Sequence, residues 1–157
     1  MTRAEFLAQA KTAALAAAKA SGLPAGITVA QAALESAWGN SGLSQQAHNY
    51  FGIKARGKEA SISMETRECN AQGEIRCVAK FARFYNMQEC FEARDRMILK
   101  LPCYATALAA KEDPESFVRE LAKHWATDPH YAERILAVYK DCGLDALDGK
   151  AAAASCG

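Results

Sequence analysis

The sequence lacks any marked excess of charge and any long apolar run. Lys and Arg number 19 against 18 Asp and Glu, which leaves a net charge of +1. Nucleic-acid-binding domains carry a broad basic face, so this balance argues against DNA or RNA as a partner. Half of the chain, 50%, is apolar, yet no run approaches the roughly 18 residues that a membrane-spanning helix needs. We expect neither a nucleic-acid partner nor a transmembrane segment.

Histidine is scarce, and its positions do not suggest a metal site. His48, His124 and His130 are scattered without the close spacing that paired metal ligands show. Ser36 and Ser41 have no neighbouring base that would activate a hydroxyl as a nucleophile. The sequence therefore predicts no metal ion and no other cofactor, and the histidines are expected to serve as hydrogen-bonding partners.

The length of the chain limits its domain organisation. A chain of 157 residues is long enough for one domain with a sizeable core and too short for two ordinary domains. No internal repeat is visible, and only the final Ala-rich stretch is low in complexity. We expect a single, monomeric domain over residues 1–147 and a flexible tail over 148–157.

The N-terminal segment has the pattern of an amphipathic helix rather than of a signal peptide. Glu5, Lys11 and Lys19 interrupt any hydrophobic stretch, and the apolar residues between them follow a helical period. The helix is predicted to end at Ser21-Gly22. If Met1 is the true start, there is no Sec signal, and a protein acting outside the cytoplasm would need phage lysis or a dedicated secretion route.

The patterns in the rest of the chain predict helices interrupted by one hairpin. Strand-like runs occupy residues 60 to 84, with turn residues at 70–73 between them. Helices are predicted from Gln88 to Leu101, from Tyr104 to Ala110, and after Asp113-Pro114 and Asp128-Pro129, where proline suits a first helical turn. The last helix is predicted over residues 131–141. The pattern indicates an α+β fold that is mostly helical, with a small β-hairpin lobe flanking a cleft.

One acidic residue, Glu35, lies in an otherwise uncharged segment from Gln31 to residue 53. Thr28 and Gln31 have the spacing of a capping box, which predicts a helix start near Val29. Apolar residues spaced three and four apart define a buried stripe beside Glu35: Ile27, Ala30, Ala33, Leu34, Ala37 and Trp38. Gly39-Asn40 is a stop signal for this helix.

Trp38 follows Glu35 within one helical turn and could shield its carboxyl group from water. Shielding disfavours the charged form and raises the pKa of a carboxyl group, so that it can donate a proton near neutral pH. The alternative is an ordinary solvated glutamate on a helix face, because most helical glutamates have no chemical role. Helix spacing alone favours this alternative.

Three motifs resemble one enzyme family in the order in which the family has them. They are ALESAWGNSGLSQQAHNYFGIKA, AKFARFYNMQECFEARDRMI and WATDPHYAERI. They are similar to motifs of glycoside hydrolase family 73, the endo-β-N-acetylglucosaminidases that include flagellar peptidoglycan hydrolases, autolysins and phage lysins. The resemblance covers roughly residues 25 to 140. It implies a lysozyme-like fold and cleavage of the β-1,4 glycan backbone of bacterial peptidoglycan, at the cell wall in the periplasm or outside the cell.

The resemblance also implies roles for individual residues. Glu35 matches the catalytic acid, and Tyr131 matches an aromatic residue beside the reacting sugar. Glu68 matches the second carboxylate in the first hairpin strand, with Glu65, Glu74 and Glu59 as further candidates. The expected substrate-binding residues are Trp38, Asn49, Tyr50 and Phe51. The last three match the family block that lines the cleft floor, and each could instead serve only in packing.

Alternatives to a glucosaminidase remain open at this level. A lytic transglycosylase or a muramidase can use the same scaffold with one glutamic acid, and a non-catalytic wall-binding module could retain the cleft. The route of hydrolysis is also open between inversion and assistance by the acetamido group of the substrate.

Six cysteines form an even set, which allows 15 pairings. Cys69 and Cys77 are placed symmetrically about Gly73, so they could face one another across the hairpin strands and form a disulfide. Reduced, buried thiols are an equally good interpretation. Cys156 lies in the expected tail and could be free.

Overall fold

The computed structural model describes residues 1–70 and 73–149, except for the side chains of residues 67–70 and 74. The described residues form a mostly helical α+β fold, which confirms the expected fold class. Its α-helices and strands are α1 (Arg3–Ser21), α2 (Ala25–Glu35), α3 (Gly42–Ala47), β1 (Ser61–Asn70), β2 (Gly73–Ala82), α4 (Met87–Lys100), α5 (Ala105–Ala109), α6 (Pro114–Trp125) and α7 (Tyr131–Asp141), with 3-10 helices at Pro102–Tyr104 and Leu144–Asp148. Residues 150–157, most of the expected tail, lie outside the described residues.

Helix α1 has clear start and stop signals, and the sequence predicts the second of them. The Thr2 hydroxyl accepts a hydrogen bond from the Glu5 N–H, and the Glu5 carboxylate accepts one from the Thr2 N–H. This capping box satisfies N–H groups that the first turn leaves free. At the other end Gly22 adopts φ 71°, a left-handed conformation that glycine reaches without steric cost. The predicted end at Ser21-Gly22 is confirmed.

Helix α2 begins earlier than the sequence predicts. It starts at Ala25 after Pro24, so Thr28 lies inside the helix rather than at its cap. The Thr28 hydroxyl donates to the Pro24 carbonyl, 3.2 Å away, and Gln31 is fully buried. The predicted capping box is therefore wrong: both side chains are engaged in the interior instead of at the helix terminus.

Helix α2 is the central element of the core. Every residue from 25 to 33 is buried, and the helix packs against α1, α7 and the C-terminal 3-10 helix. Gly26 allows α2 to lie close to the C-terminal 3-10 helix, because a Cβ atom at this position would lie 2.3 Å from the Leu144 carbonyl oxygen. The Asp148 carboxylate accepts hydrogen bonds from the Gly26 N–H at 2.9 Å and from the Tyr139 hydroxyl at 2.7 Å. Asp148, the first residue of the expected tail, is thus attached to the body.

Strands β1 and β2 form an antiparallel hairpin whose register brings Asn70 opposite Gly73. Cys69 lies opposite Glu74, and Cys77 lies opposite Thr66. The prediction that the two cysteines face one another is wrong, because the chain reverses between Asn70 and Gly73 rather than around Gly73.

The remaining described cysteines are reduced. Cys90, Cys103 and Cys142 are free thiols. Cys90 is fully buried, and its burial raises the pKa of the thiol to about 12, which makes it an unreactive core residue. Cys156 lies outside the described residues.

The helices after the hairpin agree closely with the sequence patterns. Pro114 begins α6 after Asp113, and α7 has the predicted limits. Asp128-Pro129 does not begin α7 directly; the Asp128 carboxylate accepts a hydrogen bond from the His130 N–H at 2.9 Å and shapes the turn before the helix. Within the described part of the chain, no helix has the length and apolar character needed to span a bilayer.

Candidate active site

Glu35 is the last residue of α2 and is presented by a sharp turn. Ala37 and Trp38 have φ values of 50° and 58°, which end the helix before Gly39. The Ser36 hydroxyl stabilises this turn, since it donates to the Ala32 carbonyl at 2.6 Å and accepts from the Gly39 N–H at 2.9 Å. The turn places the Glu35 side chain where solvent and a ligand can reach it.

The tertiary structure brings Glu35 and Tyr131 together from 96 positions apart. The Tyr131 hydroxyl donates to Glu35 Oε1 at 2.5 Å and accepts from Gln31 Nε2 at 3.1 Å. Tyr131 begins α7 and is only 5% exposed, so its hydroxyl has a fixed position. Within the described part of the chain Glu35 Oε2 has no hydrogen-bond partner. This oxygen is available for a proton and for a substrate.

The surroundings favour the protonated form of Glu35. Burial of the carboxyl group against its neighbours raises its pKa above the ordinary value of 4.5, and the hydrogen bond from Tyr131 lowers it in part. Glu35 as a whole residue is nevertheless exposed at the surface, while its Oε1 contacts the hydroxyl of buried Tyr131. Burial and the adjacent Glu35 carboxylate raise the pKa of Tyr131, so its hydroxyl remains a neutral donor.

A buried chain of hydrogen bonds continues from Gln31 to Arg94. Arg94 Nε donates to Gln31 Oε1 at 2.9 Å, and Arg94 Nη1 donates to the Thr28 hydroxyl at 2.8 Å. Nη1 also contacts the Asp95 carboxylate at 2.8 Å, and the Arg94 side chain is fully buried. Because the side-chain carbonyl oxygen of Gln31 accepts the hydrogen bond from Arg94, its amide N–H is directed to Tyr131. Arg94 therefore fixes the orientation of the group that holds the Tyr131 hydroxyl.

The sequence analysis did not single out Arg94 or Asp95. A signal was available: Cys90, Phe91 and Ile98 have the spacing of a buried helix face, and this face includes position 94. Charged residues rarely lie on such a face unless they are paired. Asp95 is satisfied further by the Ser21 hydroxyl at 2.7 Å, which extends the network to the end of α1.

Asn49 and Tyr50, two of the predicted substrate-binding residues, lie in the interior. The two amide N–H groups of Asn49 donate to the carbonyls of Ile53 and Ala82, and its oxygen accepts from the N–H groups of Phe51 and Ile53. This amide has no capacity left for an N-acetyl group. The Tyr50 ring is 5% exposed and packs against other aromatic rings. Both residues hold the loop that joins the body to the hairpin.

Phe51 and Trp38 occupy different surroundings. Phe51 is 3% exposed, with its ring centroid 6.3 Å from that of Trp125, and it lines a surface groove. Trp38 is half-buried with its ring 6.0 Å from Phe6, and the Arg3 guanidinium carbon lies 4.4 Å from the Trp38 ring centroid. These contacts fix the ring of Trp38 directly after the turn that carries Glu35.

The candidates for the second carboxylate lie in the hairpin and in the segment before it. Glu68 lies on β1 with its backbone opposite Ile75, and its side chain lies outside the described residues, as does that of Glu74. Glu65 forms an exposed ion pair with Arg76 at 3.5 Å, and the Glu59 carboxylate accepts from the Arg56 N–H. Among the described residues, no group of three or more His, Cys, Asp or Glu side chains could hold a metal ion.

Comparison with known families agrees with this geometry. The family model described as mannosyl-glycoprotein endo-beta-N-acetylglucosaminidase matches residues 11–144. The chain belongs to this glucosaminidase family. The expectation drawn from the three motifs is thereby confirmed, and Glu35, Tyr131 and the Arg94 network all lie within the matched part of the glucosaminidase domain.

Relatives of this glucosaminidase domain are named as an exo-glucosaminidase and as peptidoglycan hydrolases. The exo-glucosaminidase LytG of Bacillus subtilis is 33% identical over 127 residues, covering 78% of this chain and 45% of LytG. The peptidoglycan hydrolase FlgJ of Vibrio parahaemolyticus is 34% identical over 128 residues, covering 78% of this chain and 42% of FlgJ. The chain thus spans less than half the length of these relatives.

Solved structures of relatives share the fold. The catalytic domain of the autolysin Auto from Listeria monocytogenes superposes with a TM-score of 0.83 at 25% identity, covering 92% of this chain and 86% of that one. The glycoside hydrolase domain of FlgJ from Salmonella typhimurium gives a TM-score of 0.73 at 28% identity, covering 97% of this chain and 94% of that one. The lysozyme-like arrangement expected for the glucosaminidase is confirmed.

The hydrogen bond from Tyr131 to Glu35 leads to a prediction for the pH profile. In Tyr131→Phe the carboxylate loses the donor that stabilises its charged form, so the pKa of Glu35 rises further above its ordinary value. A proton donor with a higher pKa stays protonated to higher pH. We expect the basic limb of the kcat/KM profile of Tyr131→Phe to move to higher pH, measured on solubilised glycan strands.

Tyr139→Phe is the matched control for this experiment. It also removes a hydroxyl that donates to a carboxylate, here that of Asp148, but it leaves the contacts of Glu35 intact. The control should keep the basic limb of the wild type. A limb that stays in place or moves to lower pH in Tyr131→Phe would contradict the assigned role of the hydroxyl.

Proposed function

We propose that the protein is a peptidoglycan hydrolase that cleaves the β-1,4 glycan backbone as an endo-β-N-acetylglucosaminidase. One observation carries the proposal: Glu35 Oε1 is held by buried Tyr131, while Oε2 has no partner among the described residues, and burial raises the pKa of this carboxyl group. A positioned, protonated carboxyl at an accessible helix end is what a glycosidase needs to protonate a leaving oxygen.

In the proposed reaction Glu35 donates its proton to the glycosidic oxygen as the bond between that oxygen and the anomeric carbon breaks. The positive charge that develops on the sugar ring is stabilised by the Glu35 carboxylate that forms. Tyr131 fixes the orientation of Glu35 throughout, because its hydroxyl is itself held by Gln31. Water then supplies an oxygen to the anomeric carbon and loses a proton to a base.

Two routes are compatible with this scheme. We propose Glu68 as the group that takes the proton from water, on the strength of its place in the first hairpin strand. In the alternative, the acetamido oxygen of the substrate bonds to the anomeric carbon as the bond to the glycosidic oxygen breaks, and water then opens that intermediate and loses its proton to the Glu35 carboxylate. Inverted product configuration supports Glu68 as a direct base, and retained configuration supports assistance by the acetamido group.

The names of the relatives support peptidoglycan as the substrate and the cell wall as the place of action. FlgJ is named a peptidoglycan hydrolase and LytG an exo-glucosaminidase. The second name favours an alternative in which single units are released from chain ends, whereas the family model describes an endo-acting enzyme. The two modes give different product lengths.

Mass spectrometry of purified murein digested with the protein tests the proposal. We expect a range of fragment lengths with N-acetylglucosamine at the new reducing ends. Single units from the first time point would establish exo action. Ends bearing 1,6-anhydromuramic acid would identify a lytic transglycosylase, reducing muramic acid a muramidase, and binding without new ends a non-catalytic module; each of these outcomes would overturn the proposal.

A further inference from the structure

A groove runs along the segment between α3 and the hairpin, on the surface of α4. It consists of two cavities of about 280 and 260 Å³ that share four lining residues: Ile53, Lys54, Arg56 and Met97. We call it the α4 groove. Glu35 is not among the residues that line it, so the groove is separate from the position of the proton donor.

The α4 groove combines an apolar floor with a basic rim. Phe51 and Ile53 are buried beneath it, and half-buried Met97 lies beside them. The rim carries four cations and one carboxylate: Lys54, Arg56, Arg96 and Lys100 against Glu59. This carboxylate already accepts the Arg56 N–H. Among the described residues no ion pair involves Arg56, Arg96 or Lys100, and all three are exposed.

The groove is joined to the catalytic residues through Phe51. The Arg94 guanidinium carbon lies 5.5 Å from the centroid of the Phe51 ring, which lines the groove. The same guanidinium contacts Gln31, which holds the Tyr131 hydroxyl at Glu35. These interior contacts connect the floor of the groove to the residues that hold Glu35.

The charge of the rim selects one part of such a polymer. A glycan of N-acetylated sugars is neutral, and in peptidoglycan the lactyl group of muramic acid is joined to a peptide by an amide bond. The carboxylates of peptidoglycan lie on this peptide stem. A net charge of +1 for the whole chain makes a local excess of cations a specific feature rather than a general one.

We propose that the α4 groove binds the carboxylate-bearing peptide stem of peptidoglycan, with Arg96 and Lys100 as the principal contacts. This inference rests on the proposed function and deepens it, since it makes the stem a determinant of substrate choice. The binding contributes equally to the ground state and the transition state, because the groove does not contact the scissile bond. It therefore acts on KM and leaves kcat unchanged.

The test compares two substrates that differ only in charge: soluble glycan strands with native stems, and the same strands with the stem carboxylates converted to amides. For the wild type we expect kcat/KM to be about fivefold to tenfold higher on native stems. The double variant Arg96→Ala/Lys100→Ala should lose this preference through a higher KM on native stems. Its kcat/KM on amidated stems should match that of the wild type.

The variant Lys19→Ala/Lys140→Ala is the matched control. It also removes two positive charges from exposed helical positions, and both positions lie outside the α4 groove. The control should keep the preference for native stems. Equal loss in both variants would show general attraction to a polyanion, and equal kcat/KM of the wild type on both substrates would show no stem recognition; either result overturns the inference. Absence of cleavage of either substrate would instead refute the proposed function.

Discussion

Glu35→Gln is expected to fold like the wild type and to lose about 10²- to 10⁴-fold in kcat on purified murein. Glutamine has nearly the same shape, and its carbonyl oxygen can still accept the hydrogen bond from Tyr131. Its amide group cannot donate a proton to a glycosidic oxygen. The measurement is the rate of appearance of reducing ends, with circular dichroism and thermal unfolding to verify the fold.

Glu133→Gln is the control for this loss. Glu133 lies on the first turn of α7, close in sequence to Tyr131, and its exposed carboxylate contacts His130 at 3.2 Å. Removal of a charge there should change activity little. Cleavage at the wild-type rate by Glu35→Gln would show that the proton comes from another group, and the proposed mechanism would then be wrong.

Arg94→Leu is expected to lower the free energy of unfolding by about 3–5 kcal/mol, a large part of the stability of an ordinary domain. The Arg94 side chain is fully buried and Asp95 is 3% exposed. Leucine leaves the Asp95 carboxylate without its positive partner in the interior, and Gln31 and Thr28 lose hydrogen-bond donors. Chemical denaturation monitored by tryptophan fluorescence measures the loss.

A second substitution separates the stability lost through the unpaired Asp95 charge from the stability lost through altered packing. Arg94→Leu/Asp95→Asn removes that charge and should recover part of the stability that Arg94→Leu loses. Arg119→Ala is the control for an exposed ion pair, with Glu115 at 3.1 Å, and should cost less than about 1 kcal/mol. Arg94→Leu with the stability of the wild type would show that the buried pair does not hold the network together.

The hairpin illustrates how far local patterns extend. Strand-like runs and turn residues located both strands, because alternation and turn chemistry are local properties. The register of the strand pairing was not predicted correctly, because it depends on where the chain reverses. Cys69 and Cys77, symmetric about Gly73 in the sequence, lie opposite Glu74 and Thr66 instead.

The loop that carries Asn49 shows a further contribution of the tertiary structure. The motif around Asn49 identified the family, and the family resemblance suggested that its amide contacts the substrate. In the structure four backbone groups occupy the amide completely. Two of these come from Ile53 N–H and C=O and one from Ala82, and the contact with Ala82 exists only once the loop packs against β2.

The sequence by itself determined the helical character, the hairpin and the family, and it indicated Glu35 and Tyr131 as candidate site residues. These follow from spacing, caps and motifs that are written along the chain. Only the tertiary structure decided that α2 begins at Ala25, that Gln31 is an interior hydrogen-bonding group, and that Arg94 holds it in place. The physical reason is that a buried polar group takes its hydrogen-bond partner from whichever element packs beside it. Here packing joins α2, α4 and α7, which are far apart in the sequence, so no local pattern encodes their contacts.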